Sequence, residues 1–187
     1  MRIGRKTLAA LLAALVLTMA ACHSENKNLI GDGTSSDAVS SNETSSAEEQ
    51  AQNQGNFSFT TTDMNGDKVS FENYRSAKVI MFNMWEPWCG PCRSELPDLQ
   101  KLYNKYKSEG LMIVGVYSNT DGLKDIVKEN KIKYPMIKSC AAFDRFQTGY
   151  VPTTVFMDGE GKVLSDEPYV GSKSYQEWES IILSYMK

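Results

Sequence analysis

The chain has 187 residues, with 20 Lys and Arg against 23 Asp and Glu and a formal net charge of −3. Its basic residues form no cluster after residue 56, which argues against nucleic-acid binding. The only histidine is His23, so the part of the chain that can fold offers no His-ligated metal site, no Cys–His protease and no His general base.

The N-terminal residues are typical of an export signal. A basic segment at 2–6 precedes an uncharged run, 7–21, that is shorter than the roughly 20 residues of a membrane-spanning helix. The run ends in Met19-Ala-Ala-Cys22, which resembles the lipobox of bacterial lipoproteins, although Met19 stands where Leu is usual. We therefore predict a lipoprotein signal peptide at 1–21 and lipidation of Cys22. An ordinary cleaved signal with an incidental cysteine is the alternative.

Residues 22–56 form a low-complexity segment rich in Ser, Asn and acidic residues. A segment with so few large apolar side chains cannot offset the entropy cost of its own ordering, so we predict a disordered tether. A flexible chain of this length spans about 30 Å. Such a tether would hold a single folded domain at 57–187 near a membrane while letting it reorient.

The predicted domain begins with a β-hairpin. Phe57 and Phe59 alternate with polar residues, Asn65-Gly66 marks a tight turn, and Val69 and Phe71 resume the alternation. The sequence therefore predicts two short antiparallel strands.

A strand–helix–strand unit follows the hairpin. The nearly continuous apolar run 78–85 is typical of a strand buried on both faces of a sheet. The pattern from 91 to 108 indicates a helix that ends at Gly110. The apolar run 111–117 supplies a second strand, parallel to the first, and a shorter helix is predicted at 121–130.

The C-terminal part predicts a second hairpin and a last helix. Strands at 153–157 and 162–164 flank the turn 158–161, and Ser174 with Glu177 forms a capping box. The apolar stripe of this helix, which should pack on the sheet, consists of Trp178, Ile181, Ile182 and Tyr185. The segments together predict an α/β fold with a mixed central sheet and helices on both faces.

The most informative motif is Trp88-Cys89-Gly-Pro-Cys92, between the first buried strand and its helix. Two cysteines in this spacing can form a disulfide and reopen, so they can transfer two electrons. Their place at a helix start favours redox chemistry over a permanent disulfide or half of a zinc site. The helix dipole favours the thiolate of Cys89, which we expect to be exposed, and Cys92 should be the more buried, resolving thiol.

Several motifs resemble the thioredoxin superfamily. They are Trp85-x-x-Trp88-Cys89-Gly90-Pro91-Cys92, Leu96-Pro97 and Val151-Pro152-Thr153. The leading hairpin, the segment around 111–130 and Asn83 are similar to the TlpA/ResA-like branch, whose members are exported, membrane-tethered thiol-disulfide oxidoreductases. The resemblance covers 57–187 and implies a thioredoxin-like fold with an N-terminal β-hairpin and a central strand–helix insertion.

The resemblance also implies a substrate-binding surface around the cysteine pair. Pro152 would be a cis-proline that faces the pair, and the backbone of Val151 would pair with bound substrate. Trp88 would be a partly exposed ring beside the cysteines, with Gly90 and Pro91 on the same surface. Pro91 suits the first turn of a helix because its missing N–H costs no hydrogen bond there.

A carboxylate near the resolving thiol is a further candidate. Asn83 occupies the position where cytosolic thioredoxins have a buried Asp, and an amide cannot accept a proton in the same way. Glu95 lies three residues past Cys92, next to it on the helix, and the resemblance favours a role in proton transfer and thiol tuning. A solvated surface carboxylate is the alternative. We interpret Glu86 and Arg93 as exposed surface charges, and a role in partner choice is the alternative.

The predicted function is disulfide reduction outside the cytoplasm by a lipid-anchored monomer on the extracytoplasmic side of the cell membrane. Gly90-Pro91 supplies no positive charge and an ionised Glu95 would oppose the thiolate, so the pair should be a weak oxidant. The Cys89–Cys92 disulfide would be the redox group, with no metal and no other cofactor. The resemblance implies an integral-membrane electron donor of the CcdA/DsbD type. Clients could be apocytochrome c, an exported methionine sulfoxide reductase or misformed disulfides.

Three other functions are alternatives. A disulfide oxidase would share every motif, and the reduction potential would distinguish it. A thiol peroxidase would need a cysteine earlier in the fold, in a Pro/Thr-rich loop that this sequence lacks. A copper carrier of the Sco type would need C-x-x-x-C and a histidine in the domain, and both are missing. Cys140 is expected to be a small buried apolar residue, and a regulatory or third redox role is the alternative.

Overall fold

The computed structural model describes residues 56–187, so the predicted signal peptide, Cys22 and the tether up to residue 55 lie outside the described part. The strands are β1 Thr60–Thr62, β2 Lys68–Ser70, β3 Val79–Met84, β4 Leu111–Tyr117, β5 Met136–Lys138, β6 Thr153–Met157 and β7 Tyr169–Val170. The α-helices are α1 Gly90–Tyr106, α2 Leu123–Glu129 and α3 Tyr175–Tyr185. Short 3-10 helices lie at Phe71–Tyr74, Lys107–Glu109 and Ala141–Phe146. No helix between residues 56 and 187 has the length and apolar character needed to cross a membrane.

The main sheet has five strands in the order β5-β4-β3-β6-β7. β3 pairs in parallel with β4, and β4 with β5, whereas β6 runs antiparallel to both β3 and β7. All six residues of β3 are buried, as expected for a central strand that is covered on both faces. The mixed sheet predicted from the sequence is therefore confirmed, and β1 and β2 form the predicted hairpin beside it.

The sheet separates two hydrophobic cores, because successive side chains of a strand point to opposite faces. Val79 and Met81 of β3 belong to one core, together with buried residues of all three α-helices. Ile80 and Phe82 belong to the other, which the 3-10 helices Phe71–Tyr74 and Ala141–Phe146 and aromatic residues next to the hairpin cover. Helical segments thus lie on both faces, and those of the second face are short.

Three features differ from the sequence predictions, and one of them is the strand β5, which was not predicted. Residues 162–164 form no regular strand, and Val163 makes only an isolated bridge to Met157. The Asp158 N–H still donates to the Lys162 carbonyl and the Leu164 N–H to the Phe156 carbonyl, so this segment lies beside the end of β6. The start of β6 pairs with β7, which the sequence did not predict because it has two residues.

The capping box of α3 is confirmed. The Ser174 hydroxyl accepts the Glu177 N–H, and the Glu177 carboxylate accepts the Ser174 N–H at 2.8 Å. The cap fixes where the helix begins, so that Trp178 and Ile182 are fully buried against the sheet. The Trp178 indole thereby reaches the interior beneath α1.

Candidate active site

The cysteine pair lies where β3 ends and α1 begins. Cys89 is the N-cap of α1, and its N–H donates to the carbonyl of Glu86 at 3.0 Å. The N–H of Trp85 donates to the Val116 carbonyl at 2.9 Å, which ties the loop to β4. The pair therefore sits beyond the carboxyl ends of two parallel strands, where open α/β sheets bind their ligands.

Cys89 and Cys92 form a disulfide with their Cα atoms 5.3 Å apart. The backbone N–H of Cys92 points at the Cys89 sulfur, 3.2 Å away. An unpaired helix N–H in this position favours negative charge on that sulfur once the disulfide is reduced. Cys92 is fully buried, as predicted for the resolving thiol.

The expectation of an exposed sulfur at position 89 is wrong for the disulfide form, in which Cys89 is 5% exposed. Its sulfur is bonded to the buried Cys92 and lies 3.6 Å from the Val151 carbonyl oxygen, which covers it from the opposite loop. Trp88 is 70% exposed, as expected. Gly90 and Pro91 are also exposed, on the first turn of α1.

The loop opposite the cysteines contains the predicted cis-proline. The Val151–Pro152 peptide bond is cis, Val151 is half-buried and Pro152 is buried. The Pro152 carbonyl accepts the Gly171 N–H at 2.9 Å, and the Thr153 hydroxyl donates to the Tyr150 carbonyl at 2.7 Å. These bonds hold the loop against the disulfide.

Glu95 is buried beneath the cysteine pair, with 3% of its surface exposed. One carboxylate oxygen accepts a hydrogen bond from the Asn83 amide at 2.9 Å. The other accepts the Trp178 indole N–H at 3.0 Å and the Lys173 backbone N–H at 3.2 Å. The alternative of a solvated surface carboxylate is therefore wrong.

Burial raises the pKa of Glu95, and the hydrogen bonds from Trp178, Asn83 and Lys173 oppose that shift. A carboxyl group with a raised pKa is closer to exchanging a proton at neutral pH than an exposed one. The charge of Glu95 also reaches Tyr134, whose hydroxyl is buried: desolvation first, and then this charge, raise the pKa of the tyrosine.

Asn83 is fully buried on β3 and touches Glu95 directly. Its amide nitrogen also lies 3.1 Å from the Thr154 hydroxyl on β6, while its carbonyl oxygen has no partner among the described residues. The family resemblance predicted that Asn83 and Glu95 both lie near Cys92. In the structure the Asn83 amide also donates a hydrogen bond to the Glu95 carboxylate. An amide at this position can therefore orient Glu95, whereas an aspartate there would repel it.

Glu86 is not the exposed surface charge that we expected. It is half-buried, and its two carboxylate oxygens accept the backbone N–H groups of Ser118 and Asn119, both at 2.9 Å. This pair of bonds ties the loop before the cysteines to the loop after β4. Arg93 is exposed, as expected.

A groove of about 430 Å³ opens beside the disulfide between Trp88 and Tyr150. Met84 and Val116 lie in its lining together with Val151. Tyr150, which is 73% exposed, was not predicted from the sequence, although its position directly before Val151-Pro152 is a usable signal. The hydrogen bond of Trp178 was not predicted either, although a buried indole N–H needs an acceptor.

Cys140, the remaining cysteine of the described region, is half-buried and packs against the second core. Among residues 56–187 no group of three or more His, Cys, Asp and Glu side chains is arranged to hold a metal ion. The redox group seen in the structure is the Cys89–Cys92 disulfide.

Comparison with known proteins agrees with this geometry. Residues 50–165, more than half of the chain, match the AhpC/TSA family. The thiol-disulfide oxidoreductase ResA of Bacillus anthracis is 30% identical over 66% of this chain and 72% of its own length. ResA of Bacillus subtilis is 27% identical over 57% of this chain and 61% of its own length.

Solved structures show the same fold. A thiol:disulfide interchange protein of the thioredoxin family from Chlorobium tepidum is 26% identical, with a TM-score of 0.63 over 73% of this chain and 99% of that one. StoA from Bacillus subtilis has a TM-score of 0.53 at 21% identity, over 66% of this chain and 94% of its own. The chain therefore belongs to the AhpC/TSA family and is a thiol-disulfide oxidoreductase similar to ResA, with a thioredoxin-like fold.

Proposed function

We propose that the protein reduces disulfides outside the cytoplasm, with Cys89 as nucleophile and Cys92 as resolving thiol. The observation that carries this direction is the buried carboxylate of Glu95, one helical turn beyond Cys92. A strong oxidant needs a strongly stabilised thiolate in its reduced form. An ionised carboxylate close to the pair disfavours that thiolate, so it stabilises the disulfide relative to the dithiol and makes the pair a better reductant.

The reaction has two exchange steps. The Cys89 thiolate attacks one sulfur of a client disulfide, and the other client sulfur leaves as a thiolate. The Cys92 thiolate then attacks the Cys89 sulfur and releases the second client sulfur. The client gains two electrons and, with two protons, becomes a dithiol, and the protein is left with its Cys89–Cys92 disulfide.

Glu95 would accept the thiol proton of Cys92 before the second step. Cys92 is fully buried, so solvent cannot readily take its proton. Glu95 lies on the next turn of α1, and burial raises its pKa, so that it is a better proton acceptor than an exposed carboxylate. Asn83 and Trp178 would hold the carboxylate in place from the two elements packed against α1.

The client would bind over Trp88, Gly90, Pro91 and the Val151–Pro152 loop. Trp88, Gly90 and Pro91 are exposed around the disulfide, and Val151 offers a half-buried backbone beside the Cys89 sulfur. An extended client segment laid along this loop would bring its disulfide to Cys89. Apocytochrome c and an exported methionine sulfoxide reductase are candidate clients.

We further propose a lipid anchor at Cys22 and a location on the extracytoplasmic side of the cell membrane. The basic segment 2–6, the apolar run 7–21 and the lipobox-like Met19–Cys22 support this proposal. An integral-membrane dithiol donor of the CcdA/DsbD type would return the protein, as a monomer, to its reduced form. Replacing Cys22 by Ala should release the protein from membranes, and membrane retention of that variant would contradict the anchor.

The reduction potential tests the direction of electron flow. We expect equilibration with glutathione and thioredoxin buffers to give a potential close to that of thioredoxin, about −270 mV, and far below the roughly −120 mV of a strong oxidant. A potential near the upper value would assign the protein as an oxidase instead. A Cys92→Ser variant would trap clients as mixed disulfides at Cys89 and so identify them.

A further inference from the structure

The surface in front of the disulfide has an unusual charge distribution. The groove beside Tyr150 and a second, more open depression of about 470 Å³ meet at Trp88 and Glu86. Within residues 56–187, Glu86 is the one charged residue in the lining of either depression. The basic residues Arg93, in the first turn of α1, and Lys138, the last residue of β5, are outside both linings.

The charge of Glu86 has no cationic partner in the described part of the protein. Its carboxylate accepts two backbone N–H groups, from Ser118 and Asn119, and forms no ion pair there. Backbone N–H groups orient the carboxylate and stabilise it, but they are neutral and leave its net charge in place. Since Glu86 is half-buried, the field of its carboxylate is screened less than that of a fully exposed side chain.

Two exposed aromatic rings accompany this charge. Trp88 and Tyr150 are 70% and 73% exposed and border the groove beside Cys89. The faces of such rings attract cations, tryptophan most strongly. A carboxylate, an indole and a phenol ring around one groove favour a positively charged side chain.

We propose that this surface selects client disulfides with a lysine or arginine side chain close to the reactive cysteine. The inference rests on the proposed function, because it names the chemistry of the client that the same dithiol reduces. The aliphatic stem of the client side chain would lie on Trp88 or Tyr150, and its charged end would approach Glu86. An acidic residue at the same place would meet an uncompensated negative charge.

Three synthetic peptides test the proposal on the reduced full-length protein. Each contains the same intramolecular disulfide, and they differ in one flanking residue, which is lysine, norleucine or glutamate. We expect the lysine peptide to be reduced about three to ten times faster than the norleucine peptide at low salt, with the glutamate peptide slowest. At about 1 M salt the Debye length falls to about 3 Å, so the three rates should converge.

A pair of variants locates the effect. Glu86→Gln should bring the lysine-to-norleucine rate ratio close to one. Glu109→Gln removes the same charge from an exposed site before β4, at the other end of the strand, and should leave the ratio unchanged. Hydroxyethyl disulfide, a small neutral substrate, is the reference: the peptide rates of each variant are divided by its own rate with this compound. If Glu86→Gln changes the rate with hydroxyethyl disulfide because the loop before the cysteines moves, the wild type alone provides the test. A lysine-to-norleucine rate ratio that falls as salt is added would then support the proposal, and a ratio independent of salt would contradict it.

The outcomes separate this inference from the proposed function. Equal rates for the three peptides at low salt, with all of them reduced, would overturn the cationic preference and leave the reductase activity standing. No reduction of any peptide or of hydroxyethyl disulfide would instead contradict the proposed function. A faster reaction of the glutamate peptide would show that the field of the groove has the opposite sign.

Discussion

The two sides of the Cys89–Cys92 disulfide differ in almost every physical property. Behind Cys92 lies a buried polar network in which Asn83 and Trp178 each donate a hydrogen bond to the Glu95 carboxylate. In front of Cys89 lies an open groove bordered by two largely exposed aromatic rings. The buried side, which a client cannot reach, can control the protonation of Cys92. The open side, which a client contacts, can determine which clients bind.

The largest effect is expected at the disulfide that separates the two sides. Cys89→Ser and Cys92→Ser should each lower disulfide turnover by more than about a thousandfold, because each removes one of the two exchange steps. They should differ in a trapping assay, in which only Cys92→Ser keeps the attacking thiol and accumulates mixed disulfides.

Cys140→Ser is the matched control for these variants. Cys140 packs against the second core, so its replacement should leave turnover unchanged. A loss of activity in Cys140→Ser equal to that in Cys89→Ser would mean that the redox pair is assigned wrongly.

Glu95, on the buried side, should make the free energy of unfolding depend on pH. Because burial raises the pKa of Glu95 above its ordinary value of 4.5, the folded state holds the carboxyl proton more tightly than the unfolded state. The extra free energy of unfolding that this proton provides is fully present below pH 4.5. It is lost as the pH rises through the pKa of Glu95 in the folded state. Within that window the wild type should lose up to about 1.4 kcal/mol per pH unit relative to Glu95→Gln.

Urea unfolding of the disulfide forms at a series of pH values measures this difference without interference from thiol titration. Any mismatch of the glutamine amide with its three donors adds a constant offset, so the slope is the informative quantity. A wild type that gains stability over Glu95→Gln as the pH rises would contradict a raised pKa.

A smaller loss is expected where α3 joins the network. Trp178→Phe keeps an aromatic ring in the core but removes the indole N–H that donates to the Glu95 carboxylate at 3.0 Å. Loss of a hydrogen bond to a buried, charged group should cost about 1.5–3 kcal/mol in the free energy of unfolding.

Tyr185→Phe provides the comparison for Trp178→Phe. It breaks the 2.9 Å bond between the Tyr169 and Tyr185 hydroxyls, which is only partly buried. We expect a cost of about 0.5–1.5 kcal/mol, as for a bond between neutral groups. Equal losses for the two variants, measured by urea unfolding at neutral pH, would show that the bond to Glu95 has no special weight.

The sequence predicted the features whose signals are local. The continuous apolar run of β3, the capping box at Ser174 and the cysteine spacing each lie within a few residues, and the structure contains all three. Short β7 was missed because two residues carry no periodicity. The cis form of Val151–Pro152 came from the family resemblance, since most X–Pro bonds are trans.

The parts of the site that were missed depend on distant contacts. The bond from Trp178 to Glu95 joins residues 83 positions apart, and Glu86 meets amides 32 and 33 positions along the chain. From the sequence alone, an acidic residue is expected at the surface, because a buried carboxylate needs hydrogen-bond donors that only the fold can bring to it. Both Glu86 and Glu95 acquire their donors only when β4, α3 and the motif come together.

The smallest effect on stability, and the sharpest on client selection, is expected at Trp88. Because its ring is largely exposed, Trp88→Ala should change the free energy of unfolding by less than about 0.5 kcal/mol. The same change removes one aromatic wall of the groove, so the KM for a peptide or protein disulfide should rise several-fold, since a contact of this kind is worth about 1 kcal/mol. The kcat should change little, because the ring takes no part in the exchange of sulfurs. Hydroxyethyl disulfide, too small to span the groove, should react at the wild-type rate; an equal loss with both substrates would place Trp88 in the chemistry of Cys89 rather than in recognition.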